Sequence, residues 1–336
     1  MGSSRNHWLD NAKFVLIVLV ILGHCLDRLG EGHICASVNT SMAFFRMPAF
    51  IFLSGFFSKK TDWKRFLSWT WGVLETYLVI TIIQVLPGFL QGKEVPLEYF
   101  IIPRWTLWYL LSLCFWRLFI QLLGDIRPAF WLLAGSVVIG ALSGLAHLGL
   151  CLSLQRTFTM VPFFMLGYWC RCRNININAI RRIPAVAAVA ILVILWIANY
   201  QVKDFELLEF LRGKEDFSYF TGYSLGFLVC LRLSFYVVSV VVSACVLRLV
   251  PQKESWLSVQ GRDTLYYYVY HALFIMCLVF LRRGLVELPA SLIAVIVYDI
   301  AIVAAIWLLL KIPFFRTLPR LFTKIYSFVF ARDKKC

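Results

Sequence analysis

Two polar side chains in the first apolar segment have the types and the spacing to do chemistry together. Lys13 and His24 are eleven residues apart. A helix therefore carries both on one face, about 16 Å apart along its axis. A histidine titrates near neutrality, so its imidazole can take a proton from a hydroxyl and pass it to a leaving group, as acyl transfer requires. The alternative is that His24 only bridges helices.

Other ionisable residues also fall within apolar segments. Such side chains are costly in lipid, so they usually face the interior of a helical bundle and are functional candidates. They are Asp10, Arg46, Glu75, Arg117, His147, Arg232, His271 and Asp299. Asp10 lies one turn from Lys13 and can pair with it, but it is too far along the helix to orient His24. Any carboxylate partner of His24 must then be Glu75 or Asp299, while His147 and His271 have the same bridging alternative as His24.

Pro48 interrupts the second apolar segment. Proline removes a backbone donor and opens the hydrogen-bond ladder of a helix, so we expect a kink here. The freed carbonyls and Arg46 would line a polar cavity, where Arg46 is a candidate to stabilise a developing oxyanion. Ser54 and Gly55 follow and permit close approach of another helix. A purely architectural kink is the alternative.

The composition indicates that these residues lie in a membrane protein. Of the 336 residues, 61% are hydrophobic and only 15% are charged, whereas a soluble protein carries about a quarter charged residues. Crossing a bilayer takes about 20 apolar residues in a helix. Segments of about that length are residues 8–28, 42–58, 66–90, 105–123, 129–150, 157–171, 183–200, 218–248, 264–281 and 290–312. We therefore predict an all-α integral membrane protein with about ten transmembrane helices.

The distribution of Lys and Arg predicts the orientation. If the N-terminus is cytoplasmic, the cytoplasmic segments hold twenty of these residues and the outer segments nine, as the positive-inside rule requires. Both termini are then cytoplasmic, and the net charge of +15 reflects topology rather than nucleic-acid binding. No signal-peptide cleavage site follows the first helix. The expected organisation is a single transmembrane domain over residues 1–336.

The cysteines give no reason to expect a metal. Ten are scattered mostly through the helices, and Cys170 and Cys172 alone are too few for a metal site. Most are expected to be structural. Cys35 and Cys151 both fall on the predicted outer side, so a disulfide between them is the alternative.

An ordered set of motifs resembles the membrane acyltransferases of the type 3 class, and among them the group related to fucose 4-O-acetylases. The resemblance covers nearly the whole chain. Its motifs are Leu9-Asp10-Asn11-Ala12-Lys13 followed by His24, Met47-Pro48 through Leu53-Ser54-Gly55-Phe56, Leu107-Trp108-Tyr109-Leu110, and Gly261-Arg262-Asp263-Thr264-Leu265 through Tyr270-His271.

This resemblance implies a ten-helix protein of the plasma or inner membrane that carries an acyl group, usually acetyl from cytoplasmic acetyl-CoA, to a glycan hydroxyl. It implies that His24 is catalytic and that Lys13 acts with it. Many members carry Arg-x-x-Arg on the third helix, where this chain has Thr70 and Val73 with Lys64 and Arg65 just upstream. We expect Asp10, Lys13, Lys64 and Arg65 to bind the donor, and His24 and Arg46 to be catalytic.

The acceptor is accordingly expected to be a cell-surface or lipid-linked glycan. Two alternatives stay open, an O-succinyltransferase acting on an exopolysaccharide and a polysaccharide exporter or transporter. A carrier usually shows inverted repeats and paired broken helices, and the sequence shows no such symmetry. His24 as a general base and His24 as a nucleophile that relays the acyl group also stay open.

Overall fold

A computed structural model describes residues 6–320 except 91, 93–95, 97, 104, 127–128, 203–205 and 285. All regular elements within this part are helical. The α-helices are α1 (His7–Leu29), α2 (Gly32–Ala43), α3 (Arg46–Phe57), α4 (Trp63–Leu90), α5 (Glu98–Ile101), α6 (Trp108–Leu123), α7 (Phe130–Leu142), α8 (Leu154–Cys172), α9 (Ala185–Gln201), α10 (Leu207–Arg212), α11 (Leu225–Leu249), α12 (Trp256–Gln260), α13 (Thr264–Gly284), α14 (Leu292–Leu309) and α15 (Pro313–Thr317).

A helix occupies each of the ten predicted segments. Within the described residues, six helical stretches are long and apolar enough to cross a membrane, namely His7–Leu29, Gly32–Phe57, Trp63–Leu90, Leu225–Leu249, Thr264–Arg282 and Leu292–Leu309. The apolar helices Trp108–Leu123, Phe130–Leu145 and Ala185–Gln201 are shorter. The all-helical membrane architecture is confirmed, while the count of ten crossings and the side of the termini stay predictions.

Helix α1 lies inside the bundle and packs against α2, α3, α12, α13 and α14. Asn6 caps its N-terminus by accepting a hydrogen bond from the backbone N–H of Leu9. The buried Asn11 amide donates to the carbonyls of Pro251 and Lys253, at 2.8 and 2.9 Å. These bonds fix the loop before α12 onto α1, so a helix that carries the candidate histidine is held on several sides.

The structure confirms a break in the helix that contains Pro48. Phe44 and Phe45 interrupt the stretch Gly32–Phe57 between α2 and α3. Phe44 is four residues before Pro48, and a proline can neither donate to the carbonyl of that residue nor avoid a clash with it. The helix therefore breaks where the proline predicts, and Pro48 becomes the third residue of α3.

Close helix approach at Gly55 is confirmed. A Cβ built at Gly55 would lie 1.9 Å from the Phe164 carbonyl oxygen of α8, and one built at Gly167 would lie 2.1 Å from the Phe52 carbonyl oxygen of α3. The two helices thus meet backbone to backbone. Ser54 has a different role, because its hydroxyl lies 2.5 Å from the Tyr109 hydroxyl on α6.

The structure also tests the alternative of a disulfide between Cys35 and Cys151. Cys35 and Cys151 are both free thiols, and the Cys35 thiol donates to the Ala290 carbonyl at 3.7 Å. Their predicted disulfide alternative is therefore wrong.

Gly55→Ala and Gly167→Ala are each expected to destabilise the protein by about 1–3 kcal/mol, because the added methyl group overpacks the contact between α3 and α8. Thermal unfolding in detergent measures this, with Gly226→Ala as the control because nothing lies near its Cβ position. Unfolding midpoints for Gly55→Ala and Gly167→Ala that match the control would contradict the close contact.

Candidate functional site

His24 lines a cavity of about 280 Å³ between α1, α3, α6, α8 and the segment around α10. We call it the His24 cavity. Its charged and titratable lining residues are His24, Asp27, Arg28, Arg46, Arg156, Arg212 and Lys214. Apolar side chains, including those of Trp105 and Trp108, complete the wall.

The His24 imidazole stacks on the imidazole of His271 from α13. Their ring centroids lie 5.4 Å apart at an interplanar angle of 28°, and Trp105 approaches from another side with its centroid at 6.0 Å. No hydrogen bond joins the His24 ring to any other described side chain or backbone group. Its ring nitrogens are thus available to a molecule in the cavity.

His271 is fully buried and has a defined orientation. Its Nδ1 lies 3.1 Å from the Tyr267 carbonyl oxygen, and a carbonyl can only accept, so Nδ1 carries a proton. Its Nε2 is buried and has no partner among the residues with described positions. The sequence left a bridging role open for His271, but the structure brings it against His24.

Arg46 reaches the same place because residue 23 is glycine. A Cβ built at Gly23 would lie 1.5 Å from the Nη1 of Arg46. The guanidinium therefore lies directly on the backbone of α1 beside His24, and its Nη1 donates to Asn39 Oδ1 at 2.7 Å. Of the expected catalytic pair, the structure thus brings His24 and Arg46 together.

Several residues of the cavity were missed in the sequence. Arg156, Arg212 and Lys214 were counted only as outer-side charges, and Asp27 was not considered. Arg156 precedes the predicted sixth span but belongs to the first turn of α8, and its guanidinium lies 5.2 Å from the Trp108 ring centroid. Arg212 pairs with Asp27 and Glu209. The one sequence signal that could have predicted a shared cavity is that these residues all lie near loops on the predicted outer side of the membrane.

The two carboxylates expected to assist His24 lie elsewhere. Glu75 lines a second cavity, and Asp299 lines an apolar groove with Phe14 and Trp256. The prediction that one of them is the partner of His24 was wrong. Asp27, three residues after His24 on α1, is the carboxylate that lines the His24 cavity, and Arg212 engages it.

The second cavity has a volume of about 850 Å³ and we call it the Lys64 cavity. Its charged lining residues are Asp62, Lys64, Arg65, Glu75 and Arg320. Arg65 pairs with Asp62 at 3.2 Å. The structure thus brings together two of the four residues expected to bind the donor and adds Arg320, which the sequence did not single out.

Asp10 and Lys13 form a separate pair. Lys13 Nζ lies 3.1 Å from Asp10 Oδ1 and 4.7 Å from the ring centroid of Phe57. Neither residue lines the His24 cavity or the Lys64 cavity. The backbone of Asp10 also contacts the turn before α13, since a Cβ at Gly261 would lie 2.0 Å from its carbonyl oxygen.

Consecutive residues of α6 line the two cavities and pack against α13. Trp108 of α6 lines the His24 cavity and Leu110, two residues later, lines the Lys64 cavity. Between them, Tyr109 packs edge-on against Tyr268 of α13, with centroids 5.4 Å apart. The Tyr268 hydroxyl donates to the Thr106 carbonyl. Helix α6 therefore lines both cavities, whereas α13 lines the Lys64 cavity through Leu265 and places His271 against His24.

The remaining candidates have structural contacts. Arg117 lies 3.8 Å from the Trp69 ring centroid. The buried Arg232 lies 4.1 Å from the Phe210 ring centroid and donates to the Phe210 carbonyl, which ties α10 to α11. His147 lies outside the helices, with its Nδ1 2.8 Å from Asp216 Oδ2. Burial raises the pKa of Asp216, but hydrogen bonds from Ser218 and His147 outweigh burial and hold that pKa below its ordinary value.

A comparison with known protein families identifies the family of the chain. The family model described as an acyltransferase domain matches residues 6–311, which include both cavities apart from Arg320. The chain belongs to the acyltransferase 3 family. No curated protein and no solved structure match the chain. Membership confirms the predicted family and a membrane acyltransferase in general, while the narrower likeness to fucose 4-O-acetylases stays a prediction.

Gly23→Ala is expected to lower the acyl-transfer turnover by about 100-fold, as Arg46→Ala should, because the methyl group displaces a guanidinium beside His24. The double variant should lose no more than either single variant, since both remove the same contact. Turnover of acyl-CoA by purified protein measures this, with Gly226→Ala and unfolding midpoints as controls. Wild-type turnover by Gly23→Ala, or fully additive losses, would contradict the assignment.

Proposed function

We propose that the protein is an O-acyltransferase that moves an acetyl group from cytoplasmic acetyl-CoA to a hydroxyl of a cell-surface or lipid-linked glycan. The observation that carries the proposal is the His24 cavity. There the imidazole of His24, which has no hydrogen bond to a described residue, lies beside the guanidinium of Arg46. Membership of the acyltransferase 3 family supports the reaction class. The acetyl-CoA donor, the glycan acceptor and their sides are what the family resemblance implies, and the charges and volumes of the two cavities support that assignment.

The chemistry follows from the two side chains. A nitrogen of His24 accepts the proton of an acceptor hydroxyl as its oxygen attacks the thioester carbonyl. The carbonyl oxygen becomes negatively charged, and the Arg46 guanidinium stabilises that charge. The intermediate then expels the CoA thiolate, which takes the proton from His24. The stacked His271 ring, fixed by its bond to Tyr267, keeps the imidazole of His24 in place.

A two-step route through His24 uses the same groups. The imidazole attacks the thioester carbonyl, and the CoA thiolate leaves and takes the imidazole proton. The acceptor hydroxyl then attacks the acyl-imidazole, and the departing imidazole of His24 takes the hydroxyl proton. A covalent intermediate would distinguish this route from direct transfer.

The Lys64 cavity suits the CoA nucleotide. Lys64, Arg65 and Arg320 supply positive charge for phosphates, and about 850 Å³ is within the range of sites that enclose drug-sized ligands. These residues lie on segments with predicted cytoplasmic orientation, whereas Arg28, Arg156, Arg212 and Lys214 of the His24 cavity lie on predicted outer segments. The two cavities thus separate as donor and acceptor sides would.

Membranes with the wild-type chain are expected to transfer label from acetyl-labelled acetyl-CoA to glycan, and membranes with His24→Ala should lose that transfer by about 100-fold or more. Equal expression and matched unfolding midpoints are the controls, and Arg248→Gln serves as a variant remote from both cavities. Equal labelling by wild type and His24→Ala would show that the reaction does not require His24.

The same assay separates the alternatives. Label transferred only from succinyl-CoA would indicate a succinyltransferase. Movement of an intact glycan across the membrane without thioester consumption would indicate an exporter and contradict the proposed function.

A further inference from the structure

The His24 cavity has more positive charge than its own carboxylates compensate. Three of its five Lys and Arg residues have ion pairs within the described structure. Arg28 lies 3.7 Å from Asp27, Arg212 pairs with Asp27 and Glu209, and Lys214 contacts Glu209 and Glu215 at 3.0 and 3.1 Å. The other two are Arg46 and Arg156.

These two guanidiniums have no carboxylate within ion-pair distance among the described residues. Arg46 donates only to the neutral Asn39 amide. Arg156 stacks against Trp108, and its buried Nε has no hydrogen-bond partner in the described part of the chain. Asp27 acts on Arg46 and Glu209 and Glu215 act on Arg156 only from beyond ion-pair distance, and a desolvated cation without a carboxylate in direct contact is unfavourable. The geometry therefore points to a ligand that brings negative charge into the cavity.

The two guanidiniums lie in different parts of the cavity, so we assign them different roles. Arg46 lies on the backbone at Gly23, next to the reacting imidazole, and its charge meets an oxyanion that exists only during the reaction. Arg156 belongs to another wall, formed by α8 and Trp108. A guanidinium binds a carboxylate or a phosphate through two parallel hydrogen bonds. Arg156 is thus placed to bind a permanent anionic group of the acceptor.

The CoA phosphates are a poorer match for Arg156. The His24 cavity, at about 280 Å³, lies at the lower limit of small-molecule sites, whereas the Lys64 cavity, at about 850 Å³, has room for a nucleotide. The Lys64 cavity also has its own cations. Resting on the proposed function, we infer that the acceptor is an acidic glycan whose carboxylate or phosphate binds Arg156 while a nearby hydroxyl faces His24.

Paired acceptors test this inference and distinguish the two anions. The first pair is an oligosaccharide containing glucuronic acid and the same oligosaccharide with its carboxyl reduced to a hydroxymethyl group. The second pair is a neutral oligosaccharide linked to polyprenyl pyrophosphate and the same oligosaccharide free. We expect kcat/KM for acetyl transfer to favour the anionic member of one pair by at least about tenfold, a difference of one bidentate ionic contact.

Arg156→Gln should abolish that preference by raising KM for the anionic member with little change in kcat. Arg156→Lys should retain part of the preference, because lysine keeps the positive charge but cannot form the two parallel hydrogen bonds of a guanidinium. Arg282→Gln is the matched control, since Arg282 lies on the same predicted side, bonded to the Leu29 carbonyl and Glu31, outside the cavity. Equal use of both members in both pairs, or equal effects of Arg156→Gln on both members, would overturn the inference.

A binding measurement separates this inference from the proposed function. Shifts in thermal unfolding midpoint are measured with each of the four acceptors in the absence of a donor. An anionic member that stabilises wild type but not Arg156→Gln supports the acidic acceptor even when no acetyl transfer is seen, and the proposed donor or reaction is then wrong. Acetyl transfer without an anionic preference leaves the function standing and overturns the inference. Absence of both binding and transfer overturns both.

Discussion

The contact of the Arg46 guanidinium with the α1 backbone at Gly23 is the interaction on which the site depends. It places a positive charge beside His24 inside a bundle where ionisable groups are costly, and no side chain larger than hydrogen leaves room for it. The contact requires α1 and α3 to keep their separation and rotation. Asn11 fixes α1 to the loop before α12, and the Gly55 and Gly167 contacts fix α3 to α8.

Two cavities, both lined by α6, suit the transfer across a membrane that we propose. Helix α6 lines both cavities, and its Tyr109 packs edge-on against Tyr268 of α13. In the proposed function, the thioester carbonyl of the donor reaches His24 while its nucleotide stays in the Lys64 cavity. The slender, uncharged pantetheine arm of the CoA thioester, the donor that the family resemblance implies, suits such a path.

Residues on one helix were predictable from the sequence, and contacts between helices were only partly so. Periodicity placed Lys13 and His24 on one face, and depth in an apolar segment selected Arg46 and His271. The stacking of His271 on His24 depends on how α1 and α13 rotate against each other, which no local pattern specifies. For the same reason Glu75 and Asp299 were wrong partners. Arg156 and Arg212 were missed because charged residues near helix ends were interpreted as topology signals. The break near Pro48 was predictable because a proline disrupts the helix at the residue four positions before it.

The most direct test of the central claim is a cryo-EM structure with an unreactive acetyl-CoA analogue in which a methylene group replaces the thioester sulfur. The account predicts the analogue's carbonyl inside the His24 cavity, where an acceptor hydroxyl can lie about 3–3.5 Å from the carbonyl carbon and about 3 Å from the His24 imidazole, and it predicts the nucleotide among Lys64, Arg65 and Arg320. A nucleotide bound by Arg156 and Arg212 in the His24 cavity, or a carbonyl remote from His24, would contradict it.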